Sequence, residues 1–191
     1  PISIDTLKPA VAEAAFAAGA SIWNDVFALR GEGAPALAAR LVAARPEARV
    51  VLMHMQGEPR TMQADPSYAD VVAEVRAFLR ERAAAVEAAG VPRGAIWLDP
   101  GIGFGKTVAH NLALLRALPA LVADGFPVLL GVSRKRFVQA IDPTATEATD
   151  RLGGSLAAAL HGAACGVAGL RVHDVRETVQ ALAVRAAIGS D

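Results

Sequence analysis

The chain has 191 residues, 19 basic and 19 acidic side chains and one cysteine. Zero net charge excludes a general pull toward nucleic acid or an anionic membrane, and one thiol excludes a disulfide framework, so a reducing cytoplasm is the expected compartment. No signal-peptide pattern opens the chain, and no apolar run reaches the ~18–20 residues of a membrane span; the longest, around 153–169, is broken by glycines and His161.

In chain order, the sequence passes from Pro1 straight into a strand-like run at 2–4, an opening expected of a piece of a longer protein. Pro9 suits the first turn of a helix over 9–18 and Gly19 its stop. A strand follows at 21–23, a helix at 34–44 and a strand at 50–53. A long helix at 68–89 is ended by Gly90 and Pro92. Then come a strand at 95–98, a helix at 111–118, a strand at 127–130 and an alanine-rich helix at 147–164. Cys165 directly after it reads as a buried structural thiol. A strand at 170–172 and a helix at 175–188 complete the order. The strands are short and mostly apolar, as in a parallel sheet covered on both faces.

These are six β-α units in one domain, 1–191. At roughly 32 residues each they match the repeat of a TIM-type (β/α)8 barrel, ~250 residues in all, but six units cannot close one. An open doubly wound sheet is the rival; its glycine-rich turn after the first strand is absent.

Each strand ends in polar or ionisable groups: Asp5-Thr6, Asn24-Asp25, His54-Met55-Gln56, Asp99 with the run Pro100 to Lys106, Ser133-Arg134-Lys135, and Arg171-Val172-His173-Asp174. In a barrel these ends share one rim, where active sites sit. An Asp after a strand is ordinarily a helix cap or turn former. Capping does not account for the whole set, because His54, Lys135 and Arg171 do not cap helix N-termini. Asp5, Asn24 and Asp99 supply acceptors; Lys135, Arg171 and His173 supply donors. That pattern suits a ligand with an N–H-rich edge and an anionic tail, such as a pterin pyrophosphate.

The loop Asp99-Pro-Gly-Ile-Gly-Phe-Gly-Lys106 lacks Walker spacing. Its glycines allow tight turns and close approach to a flat ligand, with Phe104 either packing on an aromatic ring or simply filling core. His54 reads first as a structural hydrogen-bonder, and His110 and His161 receive no function. No Cys/His cluster has zinc spacing, and there is no Gly-x-Ser-x-Gly elbow.

Six blocks, in order, are similar to those of the dihydropteroate synthases. They are Ser3-Ile-Asp-Thr6; Asn24-Asp25; Leu52-Met-His-Met-Gln-Gly57 with Pro59 and Thr61-Met-Gln63; Leu98-Asp-Pro-Gly-Ile-Gly-Phe-Gly-Lys106; Gly131-Val-Ser-Arg-Lys135; and Arg171-Val-His-Asp174. The resemblance implies a (β/α)8 barrel of which this chain holds strands three to eight, and a homodimer through the last helices. It also implies a transferase of folate biosynthesis and sulfonamide target that joins p-aminobenzoate to a dihydropterin pyrophosphate and releases pyrophosphate.

By the same resemblance the pterin is held by Asp5, Asn24, Asp99 and Lys135, its pocket lined by Val26, Met55, Phe104 and Gly131. Phe104, Ser133 and Lys135 lie by p-aminobenzoate, and Arg171 and His173 bind pyrophosphate. Asp5, Asp99, Lys135, Arg171 and His173 carry catalysis. The family's two opening strands, with the Asn that holds Mg²⁺ on the pyrophosphate, have no counterpart here. No metal ligand is therefore assigned in this chain, and the 191 residues alone are expected to turn over little. A methyltetrahydrofolate-type methyltransferase is the alternative within pterin chemistry, and a non-catalytic pterin-binding fragment the alternative outside enzymes. No nucleic-acid or membrane partner is expected.

Overall fold

The computed structural model describes residues 1–58, 61–62 and 64–189. The order is β1 (Ser3–Asp5), α1 (Pro9–Ala17), β2 (Ile22–Asp25), α2 (Ala34–Ala44), β3 (Arg49–Met53), α3 (Val71–Ala88), β4 (Ile96–Asp99), α4 (Val108–Arg116), α5 (Leu118–Val122), β5 (Leu129–Leu130), α6 (Arg136–Ile141), α7 (Leu152–Ala164), β6 (Gly169–Leu170) and α8 (Val175–Ile188). Each strand is parallel to the next in sequence. β1 to β4 form one ladder and β5 pairs with β6. A parallel bridge between Leu98 and Val128 joins the two groups.

The strands curve around a common interior. One cavity of ≈ 600 Å³ takes side chains from all six, among them Ile22, Arg49, Val51, Trp97, Leu129 and Leu170. At the rim, Arg171 after β6 reaches Asp5 at the end of β1 at 2.7 Å. This is the TIM-type α/β architecture, present as six consecutive units. The outer edge of β1 pairs with no strand among the described residues, and Ile2 beside it is exposed.

Alternation along the strands sends the other set of side chains outward to the helices. Trp23, Val50, Leu52, Ile96 and Leu98 are buried there, as expected of strands covered on both faces. α3 answers with a stripe at Val71, Val75, Leu79, Ala83 and Val86, the spacing of one helix face. Fully burying each such aliphatic side chain contributes about 1.5–3 kcal/mol.

Each of the six strands overlaps the run the sequence placed it in, β6 (169–170) by one residue of the expected 170–172, and α2 and α8 match in both bounds. α3 begins at Val71 rather than 68, because Asp70 caps it by accepting from Val72 N and Ala73 N. α4 begins at Val108 rather than 111, because Thr107 and His110 form a reciprocal cap. The sequence pattern does not announce α5 and α6; five and six residues long, they give too little periodicity to read.

Candidate functional site

The site is assembled from the loops that leave the strands. β2 runs two residues further than predicted, so Asn24 and Asp25 lie inside the strand and face opposite ways. Asp25 is fully buried and accepts from Phe27 N (2.7 Å) and Leu29 N (3.0 Å). These bonds hold Ala28 and Leu29 at φ of 54° and 53°, a conformation that costs an L-residue roughly 1–2 kcal/mol. Arg82 of α3 secures the same turn from outside, donating to Ala28 O and Leu29 O at 3.1 Å each. The turn presents Val26 to the rim.

Asn24 faces inward. Its Nδ2 donates to Asp5 Oδ1 at 3.1 Å, while its buried Oδ1 has no hydrogen-bond partner. A buried acceptor left open costs about 1–3 kcal/mol, and this one is on a side chain lining the cavity.

After β4, Asp99 Oδ1 accepts from Gly101 N at 2.7 Å. The loop that follows lies directly on the end of β3. Gly101 has φ +66°, and a Cβ there would stand 1.9 Å from His54 O; Gly105 has φ +61°, with Gln56 O 2.4 Å from its missing Cβ. Only glycine fits either place. Lys106 is buried and contacts His54 Nδ1 (2.9 Å), Phe104 O (3.0 Å) and His54 O (3.3 Å).

After β5, Arg134 takes φ 59°. Its amide donates to Ser155 Oγ at 2.8 Å, and its guanidinium makes two bonds to the Asp174 carboxylate. The buried guanidinium of Arg151 donates to Arg134 O (3.1 Å), Thr146 O (2.7 Å), Ala145 O (3.2 Å) and Gln139 Oε1 (2.8 Å). This left-handed elbow turns Lys135 inward, where its Nζ donates to Ile102 O and sits 4.8 Å above the Phe104 ring. Ser133 Oγ meets His173 Nδ1 at 2.9 Å and accepts from His173 N at 3.2 Å.

Together these loops enclose a cavity of ≈ 120 Å³ lined by Asp5, Asn24, Val26, Met53, Asp99, Phe104, Gly131, Ser133, Lys135, Arg171 and His173. A second cavity of ≈ 740 Å³ lies against the same Phe104 and Lys135 and is bounded by Met62, Arg134, Arg136, Phe137 and Arg151. Electrostatically the first cavity opposes a buried carboxyl, Asp99, to a half-buried ammonium, Lys135. Burial pushes Asp99 above the usual carboxylate range, with Lys135, the Gly101 amide, Lys106 and Arg171 pulling it back. Burial brings Lys135 down to about 8, opposed by Asp99 and reinforced by Arg171.

Of the expected site residues the structure brings Asp5, Asn24, Val26, Asp99, Phe104, Gly131, Ser133, Lys135, Arg171 and His173 to one cavity. Met55 is the exception. It is buried but not among the lining residues, and Met53, two residues earlier on the same strand face, stands there instead. Ser133 lines the first cavity and not the second. Pro59 and Gln63 lie outside the described residues. Sequence reasoning missed Arg82, Lys106 and Arg151, which hold the loops in place, Lys106 and Arg151 also bordering the second cavity. Lys106 closes the glycine run and is visible as a motif residue; Arg82 and Arg151 carry no local signal.

The family model described as "Pterin binding enzyme" matches residues 1–173. Dihydropteroate synthase of Neisseria meningitidis serogroup B is 48% identical over 99% of this chain and 66% of its own length. The chain thus spans just under two thirds of that relative. Dihydropteroate synthase of Stenotrophomonas maltophilia, solved with active site-bound imidazole, superposes with TM-score 0.94 at 47% identity, over all of this chain and 69% of that one. The Thermus thermophilus enzyme gives TM-score 0.91 in two complexes. With 4-aminobenzoate the identity is 49% over 98% of this chain and 70% of that one. With 6HMPPP it is 48% over 100% and 73%.

Proposed function

The chain belongs to the pterin-binding enzyme family, and from that premise we propose that the protein containing it is a dihydropteroate synthase. The observation that carries the proposal is the open Oδ1 of Asn24 beside Asp99 and Asp5, in a cavity whose other wall bears Lys135, Arg171 and His173. A dihydropterin edge offers N–H groups to these acceptors, first to the open Asn24 Oδ1. The Thermus relative in complex with 6HMPPP supports the same substrate class. A pterin methyltransferase has no use for an Arg171–His173 pair beside the pterin acceptors.

In the reaction, the arylamine nitrogen of p-aminobenzoate forms a bond to the pterin methylene carbon as the C–O bond to pyrophosphate breaks. The arylamine then sheds a proton. Asp99, Asn24 and Asp5 fix the pterin edge and offset positive charge developing on the ring. Arg171, released from Asp5 (2.7 Å), and His173, held by Ser133, meet the departing pyrophosphate. Charge stabilisation of this kind works best in a site closed to water. The second cavity, walled by Phe104 and Lys135 and carrying Arg134 and Arg136, receives p-aminobenzoate.

The resemblance also implies Mg²⁺ with the pyrophosphate. The Asn expected to hold it belongs to the opening strands that have no counterpart in these 191 residues, and among the described residues no group of three His, Cys, Asp or Glu could hold a metal.

The exposed apolar face of α7 and α8, with Leu156, Leu160, Val184 and Ile188 around a ≈ 540 Å³ groove, is the surface for a second copy of the protein. No helix among the described residues is long and apolar enough to cross a membrane, and a cytoplasmic location accords with the single free thiol.

Calorimetric titration of dihydropterin pyrophosphate into the full-length protein and its Asp99→Asn variant tests the reading. The variant is expected to bind at least ~30-fold more weakly, the low end of the ~2–5 kcal/mol lost when one partner of a desolvated charged contact is removed. Affinity within threefold of wild type, or no p-aminobenzoate-dependent release of pyrophosphate by the wild type, defeats it.

A further inference from the structure

Lys106 is 3% exposed, yet its three contacts are all neutral. Two go to the residue after β3, His54, by ring and by carbonyl. The third goes to the carbonyl of Phe104 at the crest of the glycine loop. An ammonium has three N–H groups, and each finds one acceptor.

The loop is also anchored by the fully buried side chain of Ile102. Gly101 and Gly105 lie against the backbone of His54 and Gln56, just after β3. Among its other ties are Tyr68 Oη to Gly105 O (2.7 Å) and Gly103 N to Asn111 Oδ1 (2.7 Å). The loop's backbone sets both opposed charges of the cavity. Gly101 N binds Asp99 Oδ1, and Ile102 O receives Lys135 Nζ. Phe104, riding between them, is the wall shared with the second cavity.

We infer that Lys106 is a positioning residue for the pterin site: by joining Phe104 O to the ring and carbonyl of His54 it locks the 101–105 loop onto β3 and so sets Asp99, Lys135 and Phe104. The inference rests on the pterin reading of the cavity and deepens it. Lys106 does not line the first cavity, so it acts on the pterin through these groups, while it borders the second cavity beside Phe104.

The cage tolerates either state of the lysine. Burial lowers Lys106 to about 7, with Asp99 opposing and Lys135 reinforcing. Burial, then Lys106, and more weakly Arg30 take His54 down to about 3, so its ring is neutral. A charged Lys106 donates to all three acceptors. A neutral one donates to the two carbonyls and accepts Nδ1–H from the other His54 tautomer. The contacts therefore persist across neutral pH.

The test is Lys106→Met in the full-length protein, with Lys106→Gln, which keeps two N–H donors, as the conservative variant. Hydrogen exchange of the Gly101 and Gly103 amides reads the loop without ligand, and dihydropterin pyrophosphate affinity reads the site. We expect exchange at both amides to quicken, pterin affinity to fall at least tenfold and kcat to drop, at temperatures where circular dichroism shows the variant folded; Lys106→Gln recovers part of each. A purely structural lysine would lower Tm and leave affinity and kcat alone, and that result overturns the inference, as does unchanged amide exchange.

If Lys106→Met does not fold, Tyr68→Phe loosens the same loop from its outer side. Faster exchange with at least twofold weaker pterin binding supports the inference, and wild-type values for both overturn it. Quickened exchange in a protein whose wild type binds no pterin sinks the functional reading instead and leaves the loop lock standing.

Discussion

Replacing Gly101 by alanine gives a direct measure of how closely the 101–105 loop is laid on the barrel. At φ +66° an alanine is strained whatever the space around it, by roughly 1–2 kcal/mol. Its Cβ would also stand 1.9 Å from His54 O, and no real Cβ approaches another heavy atom within 3.0 Å, so the carbonyl must retreat by at least 1.1 Å (3.0 − 1.9). That carbonyl accepts from Lys106, and the His54 amide donates to Asp99 O at 3.0 Å, so retreat pulls on the contact between the ends of β3 and β4. Overpacking of this kind costs ~1–3 kcal/mol, and the two terms together give ~2–5 kcal/mol.

Gly153 is the matched control. It lies on the exposed side of α7 with nothing within 4 Å of its missing Cβ. Alanine there should stabilise the fold by ~0.5–1 kcal/mol through reduced backbone entropy of the unfolded chain. Urea denaturation followed by circular dichroism compares the two. The geometric argument is wrong if Gly101→Ala falls within ~0.5 kcal/mol of wild type, or if Gly153→Ala costs more than about 1 kcal/mol.

The next glycine behaves oppositely to Gly153: at Gly154 a Cβ would meet Val138 Cγ1 at 2.4 Å, so Gly154→Ala should destabilise where Gly153→Ala does not, read in the same melts. Asn24→Leu should leave the unliganded fold within ~1 kcal/mol of wild type, because relief of the open Oδ1 offsets the lost bond to Asp5. The same change should weaken pterin binding at least tenfold, and a calorimetric Kd near wild type would refute that.

Lys106 also gives a pH signature. Its pKa is 10.5 when free and about 7 when folded, so between these values the unfolded chain binds more protons and stability rises with pH. Below pH 7 both states are protonated and the full cost of burying the charge is present. The stability of wild type minus that of Lys106→Met should therefore climb from about pH 7 to about pH 10, by at most ~1.4 kcal/mol per unit. A flat difference across that range in pH-dependent urea melts would refute the titration. Arg151→Met should cost ~2–4 kcal/mol, since four oxygens lose a charged donor behind the Lys135 elbow; a Tm equal to wild type would contradict this.

Much of the molecule is written locally. Short apolar strands alternating with alanine-rich helices define the six units, and Pro9 and Gly19 bracket α1 by backbone preference alone. The residue types at the strand ends are legible too, because a parallel sheet built of β-α units delivers every strand's C-terminal end to one face. Asp5, Asn24, Asp99, Lys135, Arg171 and His173 can thus be named together from the chain alone.

Tertiary structure decided which of those groups are satisfied and which are open. Asp5 meets Arg171 across 166 positions of sequence, and His54 meets Lys106 across 52; no local pattern encodes either contact. Nor does it encode that Asn24 keeps a buried oxygen unpaired, that Arg151 props a left-handed Arg134, or that Met53 rather than Met55 lines the cavity. Local preference chooses φ, ψ and which face of a strand a residue takes. The partner a buried polar atom finds depends on which distant backbone is packed beside it, and that is fixed only when the strands are wrapped around one interior.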